Sequence, residues 1–262
     1  MDTEPVQDEN EPQGGKIVIR ALDVKRYYGS GDAVTKALDG ISLRVYRGEY
    51  LAIMGPSGSG KSTLFNMIGG IDTPTAGMVF IDEIDVAQLD AFEMAWMRCN
   101  KIGYIFQSYN ILPTLTALEN VTLPMRFAGL KPDDAREKGA EILTAVGLGD
   151  RLFHRPYELS GGQQQRVAVA RAMANDPVII LADEPTANLD VETGEEIIDL
   201  LAELKRDRGL TVISATHDMK MLSVSDRILW IRDGRVQRLE ERRNLKIEIG
   251  TVASRGNKEK KA

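Results

Sequence analysis

Cysteine is almost absent from the 262-residue chain. Its single thiol, Cys99, excludes an internal disulfide, which fits a reducing compartment. Long hydrophobic runs are missing as well. No apolar stretch approaches the roughly 18 residues that a membrane-spanning helix needs. The N-terminal residues hold no apolar core of a secretory signal. Any membrane role is therefore expected to come through a partner. An excess of positive charge is lacking too. Lys and Arg number 33 against 39 Asp and Glu, and the net charge of −6 argues against a general nucleic-acid binder. What is there is ordinary. The 43% apolar content is that of a soluble protein. The length allows one or two domains and a core that buries about 70% of the unfolded surface.

Residues 1–15 are acidic, with Pro and Gly and almost nothing apolar, and residues 251–262 are basic and polar. Both are expected to be disordered tails. Between them the chain reads as one continuous unit over residues 16–240, followed by a C-terminal extension over 241–262. No linker or internal repeat interrupts it.

The stretch Gly55-Pro56-Ser57-Gly58-Ser59-Gly60-Lys61-Ser62-Thr63 organises this unit. It fits G-x-x-x-x-G-K-[ST], a loop that cradles the phosphates of a nucleoside triphosphate. The apolar run from Tyr50 to Met54 reads as a strand entering the loop, and Thr63 to Ile68 as a helix leaving it. Glycines let backbone N–H groups converge on phosphate oxygens, and the helix N-terminus adds positive potential. Lys61 can reach the β- and γ-phosphates, and the Ser62 hydroxyl can hold Mg²⁺.

The remaining pattern alternates strands with helices. Ile17 to Tyr28 reads as a strand, and Gly29 to Asp32 as a turn. Ala37 to Val45 reads as a strand broken by an Asp39-Gly40 turn. Gly77 to Ile81 is expected to join these in an antiparallel sheet. Leu89 to Asn100 looks helical, with Leu89, Phe92, Trp96 and Met97 on one side. Ile102 to Phe106 reads as a buried strand. Thr116-x-x-Glu119 opens a helix that Pro124 should kink, and Pro132 and Gly147 bracket another. A mostly helical section is thus expected over about 108–175, inserted into an α/β scaffold. Val178 to Ala182 and Thr211 to Ala215 read as buried parallel strands, separated by a helix that Asp190 caps and Gly209 closes. Asp233-Gly234 marks a hairpin. The fold class is α/β, a mainly parallel, helix-covered sheet with an antiparallel N-terminal β section.

Four further stretches narrow the chemistry. Asp183 and Glu184 follow the strand Val178–Ala182, where open α/β sheets bind ligands. Asp183 suits the Mg²⁺ shell, and Glu184 a base acting on the attacking water. Ser160, Gly161, Gly162 and Gln163 open a helix with a capping-box pattern and an anion site of their own, which points to a nucleotide on another copy. His217 lies just after the strand Thr211–Ala215, where it can hydrogen-bond a γ-phosphate, whereas His154 reads as structural or surface. Gln107, at the end of Ile102–Phe106, can touch Mg²⁺ or the attacking water.

With these residues in place, the chain resembles the ATP-binding cassette (ABC) ATPases from about Ile17 to Leu239. Leu159-Ser160-Gly161-Gly162-Gln163 matches the family signature without departure. Ala187-Asn188-Leu189-Asp190 resembles the D-loop, Gln107 the Q-loop glutamine, Glu184 the catalytic glutamate and His217 the switch histidine. Tyr28 resembles the aromatic that stacks on adenine, with Tyr27 adjacent. The resemblance implies a P-loop core with an inserted helical signature subdomain, using ATP and Mg²⁺. It implies a head-to-tail homodimer with two ATP molecules between the copies, each held by one copy's P-loop and the other's Ser160–Gly162. It also implies an integral-membrane permease that holds the protein at the cytoplasmic face of the inner membrane, and no nucleic-acid partner. Gly31-Asp32, Gly69 to Asp72, Gln107 to Leu112 and Glu119 to Met125 are similar to the subgroup serving lipoprotein release and macrolide or peptide export. A cell-division mechanotransmitter that moves no cargo is the alternative, and a soluble ABC ATPase a more distant one. Tyr109, Ile111 and Leu112 precede the cap at Thr116, and are expected to line a groove for a short permease helix.

Overall fold

The computed structural model describes residues 15–30 and 33–242. The expected tails, apart from Gly15, and Gly31-Asp32 lie outside the described residues. Two long strands come first, β1 (Ile17–Tyr28) and β2 (Thr35–Tyr46). Next, β3 (Tyr50–Met54) runs through the P-loop into α1 (Lys61–Ile68). Two more strands follow, β4 (Ala76–Ile81) and β5 (Ile84–Asp85). β1 pairs antiparallel with β2 and with β4, in a sheet of order β2-β1-β4-β5. The expected break at Asp39-Gly40 does not occur. Val24 pairs with Ile41 and Lys25 with Asp39, so Gly40, at φ 92°, is a bulge inside a continuous strand. One extra residue in a left-handed conformation is absorbed this way without ending the ladder.

The rest of the chain builds the second sheet and its helices. In order these are α2 (Ala91–Lys101), β6 (Ile102–Ile105), α3 (Ala117–Phe127), α4 (Pro132–Ala145), α5 (Gly161–Ala172), β7 (Ile179–Asp183), α6 (Val191–Arg208), β8 (Thr211–Thr216), β9 (Arg227–Arg232) and β10 (Arg235–Glu241). The sheet order is β10-β9-β3-β8-β7-β6. Every pair is parallel except the β9–β10 hairpin, whose turn residues Asp233 and Gly234 both have positive φ. α3, α4 and α5 pack on one another between β6 and β7 in the chain.

Side chains close four of the helix starts, those of α2, α3, α5 and α6. Asp90, Thr116 and Ser160 each form a reciprocal capping box, with Glu93, Glu119 and Gln163, and Asp190 accepts from the Thr193 N–H. Gly209 ends α6 in the left-handed region, as expected. α2 differs from expectation. Its inward residues are Met94 and Met97, which sit against Gly70, while Phe92 is 81% and Trp96 52% exposed. Leu89 precedes the helix. The packing of Met94 and Met97 against Gly70 sets the rotation of the helix and turns its two aromatic side chains outward.

Two cores result. One lies between the two sheets and α1, with Ile19, Ile41, Ile53, Phe65 and Ile213 fully enclosed. The other binds α3, α4 and α5 to α6 through Val121, Leu143, Val167 and Ile197. Each such side chain contributes about 1.5–3 kcal/mol by leaving water. Together they hold the ends of β3, β6, β7 and β8 in one place.

Candidate functional site

The four capped helices contrast with α1. Its N-cap is Gly60, at φ 106°, and no side chain accepts from its first N–H groups. Those donors are left to a ligand, and with the helix dipole they favour an anion. Gly60 cannot be exchanged for a larger residue without strain, because a Cβ there would lie 2.5 Å from the Ala37 carbonyl oxygen. The loop packs against the β9–β10 turn, where the Gly234 N–H donates to the Ser59 carbonyl at 3.0 Å.

A cleft of about 600 Å³ opens in front of this helix end. Ser57, Gly58, Gly60, Lys61, Ser62, Thr63, Gln107, Asp183 and Glu184 line it, together with Thr35, Lys36, Ala37 and Asp233. The sheet thus gathers residues that are far apart in sequence at the carboxyl ends of β3, β6 and β7. Lys61 is only 7% exposed, and its Nζ donates to the Gly55 and Pro56 carbonyls at 2.8 and 3.1 Å. The ammonium is held over the loop. Burial, followed by the charge of Glu184, raises the Asp183 carboxyl above its ordinary value. Its hydrogen bond with Ser62 and the charge of Lys61 oppose this. Burial, followed by the Asp183 charge, pushes the Tyr104 phenol up.

Glu184 follows β7 with φ 46°, a left-handed conformation that costs a non-glycine residue about 1–2 kcal/mol. Its N–H donates to the Ala215 carbonyl at 2.8 Å, and its Oε1 lies 3.3 Å from His217 Nδ1. His217 is exposed and also borders a second opening, of about 510 Å³, together with Gly55, Pro56, Met219 and Trp230. The Gln107 carbonyl accepts from Asn188 Nδ2 at 2.8 Å, which ties the end of β6 to the segment after β7. His154 interacts with Arg151, and its carbonyl accepts from the Ala117 N–H, so it organises the entry to α3.

Ser62, Gln107 and Asp183 share the cleft and offer a hydroxyl, an amide oxygen and a carboxylate. All three are hard oxygen donors of the kind that suits Mg²⁺.

The structure keeps other expected residues out of the cleft. Ser160, Gly161, Gly162 and Gln163 form the start of α5 and do not line it. Tyr28 does not line it either. Its hydroxyl donates to Asp72 at 3.0 Å, and the Arg26 guanidinium stacks 4.6 Å from its ring. Tyr27 belongs to a different group, with its hydroxyl 2.5 Å from Asp39 and Lys36 above its ring. The Tyr27 hydroxyl, then Arg235, hold the Asp39 carboxyl down at about 2. Thr35, Lys36 and Asp233 escaped the sequence reading. Only the Asp233-Gly234 turn carried a signal, and that signal was read as a hairpin alone.

Beside Gln107 lies a groove of about 260 Å³, lined by Tyr104, Phe106, Leu123, Pro124, Phe127 and Arg171, among others. Tyr109, Ile111 and Leu112 do not line it. The Tyr109 and Asn110 carbonyls accept from Arg171, and the Leu112 backbone is held by Asn120.

Residues 38–187 match the family described as ABC transporter. An uncharacterized ABC transporter ATP-binding protein of Thermotoga maritima is 52% identical over 227 residues, which are 87% of this chain and 97% of that protein. The protein MJ0796 of Methanocaldococcus jannaschii, also an ABC transporter ATP-binding protein, is 46% identical over 86% of this chain and 98% of its own. The macrolide export ATP-binding/permease protein MacB of Hyphomonas neptunium is 49% identical over 84% of this chain, but over only 34% of its own length. Among solved structures, the dimeric MJ0796 cassette in a post-hydrolysis state bound to ADP and Pi superposes with a TM-score of 0.79 at 44% identity. It covers 87% of this chain and 100% of that one.

Proposed function

The chain belongs to the ABC transporter family as an ATP-binding, ATP-hydrolysing subunit, and on that premise we propose that it works as one half of a head-to-tail pair driving a membrane permease. The observation that carries the pairing is that the start of α5 lies outside the cleft that holds the P-loop. A second copy, turned by a two-fold rotation, brings its Ser160–Gln163 to face that cleft and completes it. Dimeric structures of a relative at 44–45% identity support this reading.

In this arrangement Tyr28 supports the base side of ATP. Gly55 to Thr63 wrap the phosphates, with Lys61 against the β- and γ-phosphates. Ser62, Gln107 and Asp183 would hold Mg²⁺, which supplies charge neutralisation across the phosphates. Glu184 orients and deprotonates the attacking water, and His217 steadies Glu184 and the γ-phosphate side. Water attacks the γ-phosphorus, the bond to the β-phosphate oxygen breaks, and ADP and phosphate leave. Donors from both copies surround the developing charge and exclude bulk water.

Among the described residues no helix is long and apolar enough to cross a membrane. MacB carries an ATP-binding region and a permease under one name, and this chain corresponds to about a third of it. The permease half of that name supports an integral-membrane permease as the partner, and we place this subunit on it, at the cytoplasmic face of the inner membrane. The groove beside Gln107 is where we place the contact, and the cargo class is a lipoprotein, peptide or macrolide-like molecule moved by export or extraction. The decisive experiment uses Glu184→Gln. The amide keeps the shape of the side chain but cannot take a proton. ATP binding is expected to persist, turnover to stop, and a dimer to elute in gel filtration with ATP and Mg²⁺. Monomers with unimpaired turnover would refute both the base and the pairing.

A further inference from the structure

Gln165 is the fifth residue of α5, one turn beyond the cap at Ser160, and its relative exposure is 0%. Its Nε2 donates to the Pro185 carbonyl at 2.6 Å. Pro185 directly follows Glu184. The Glu184 backbone has the left-handed φ of 46° described above, and such a conformation persists in a non-glycine residue only where its surroundings hold it. Three bonds do so. The Glu184 N–H is fixed on β8 through Ala215, its carbonyl accepts from the Ala187 N–H at 3.2 Å, and the next carbonyl is held by α5 through Gln165.

α5 is itself a stiff lever. At Gly162 it runs so close to the start of α6 that an added Cβ would collide with Thr193. Gly161 lies beside Tyr109 and Leu189. A displacement of the exposed end at Ser160 is therefore passed along α5 rather than absorbed at its first turn. The polar contact that receives it is the one between Gln165 and the backbone of the catalytic loop.

We propose that Gln165 is a positioning residue that ties the signature helix to the backbone carrying Glu184, so that a nucleotide held against Ser160–Gly162 sets the aim of Glu184 in the same chain. This rests on the head-to-tail reading, in which that nucleotide is the one bound to the partner copy's P-loop. Each copy thereby reports on its partner's nucleotide before hydrolysing its own. Gln165 is fully buried and acts through the Glu184–Pro185 peptide.

The test compares Gln165→Met, which keeps volume and removes the donor, with Gln165→Glu, which can donate only when protonated. Both are expected to remain folded and to bind ATP within about twofold of wild type, while kcat falls about 10- to 100-fold with little change in KM. The Gln165→Glu rate relative to wild type is expected to rise from about pH 8 to about pH 6, since burial raises a carboxyl pKa into that range and restores a donor. In the Glu184→Gln background, Gln165→Met should still give ATP-trapped dimers. Wild-type kcat in both variants, a loss confined to ATP binding, a pH-independent ratio, or failure of the double variant to dimerise would each overturn the positioning role. Normal turnover in Glu184→Gln alone would instead remove the reading on which the proposal rests.

Discussion

Lys61 is anchored by the loop it belongs to, its ammonium folded over the carbonyls of Gly55 and Pro56. A charge-assisted contact is worth about 1.5–3 kcal/mol. Lys61→Ala is thus expected to weaken nucleotide binding about 10- to 100-fold. The fold should persist, since the bonds lost within the protein go only to loop carbonyls. A fluorescent ATP analogue measures the first and circular dichroism the second, and wild-type affinity would count against the phosphate role. Asp39 bears on acid stability. Its folded value of about 2 lies below the unfolded carboxyl value of about 3.9, so its contribution is complete above that value and is lost as pH falls towards 2. Asp183, shifted upward, has the opposite sign, and its contribution fades as pH rises through its folded value. Asp39→Asn is expected to melt below wild type near neutral pH, with the gap closing between about pH 4 and pH 2. Thermal melts at several pH values check this, and a constant gap would contradict it.

At the scale of elements, α3 combines a strong start with an exposed end. Thr116 and Glu119 satisfy each other's backbone N–H groups, and Asn120 closes the preceding loop onto the helix. Thr116→Ala is expected to cost about 1 kcal/mol, seen as a lower denaturant midpoint with an unchanged slope. The other end of α3 presents Phe127, 77% exposed, on the rim of the groove beside Gln107. Exposed aromatic side chains of this size are common anchors of interfaces. Phe127→Glu is expected to leave ATP binding intact and to reduce recovery of the permease from detergent-solubilised membranes severalfold. Full recovery would place the contact elsewhere.

For the whole molecule, the division of each nucleotide site between two copies has a consequence that a monomer cannot imitate. Lys61→Ala disables the P-loop half of a site, and Ser160→Arg disables the signature half by placing bulk and charge at the start of α5. Each variant alone is expected to be inactive. Mixed, they form heterodimers in which one site combines both defects and the other combines both intact halves. One nucleotide should therefore be trapped per heterodimer on mixing, with ATPase activity returning to less than about a quarter of wild type under random pairing, because the intact site's Glu184 has no nucleotide against Ser160–Gly162 of its own chain. Neither trapping nor activity on mixing, with each variant folded, would exclude the shared site.

Much of this protein is local chemistry, and local chemistry is legible in sequence. The P-loop follows from glycines beside Lys61 and Ser62, the caps from Thr116, Ser160 and Asp190 with their partners, and the β9–β10 hairpin from Asp233-Gly234. In each case a few adjacent residues satisfy one another's backbone groups. Apolar runs such as Val178–Ala182 likewise announce buried strands. Tertiary packing decided the rest. It turned Phe92 and Trp96 outward, because the phase of α2 depends on Met94 and Met97 meeting Gly70 from another element. It kept β2 whole across Gly40, because a bulge opposite β1 costs less than a broken ladder. It brought Lys36 and Asp233 to the cleft and buried Gln165 against Pro185. Those contacts join residues that are tens of positions or more apart, and no periodicity within one segment encodes them.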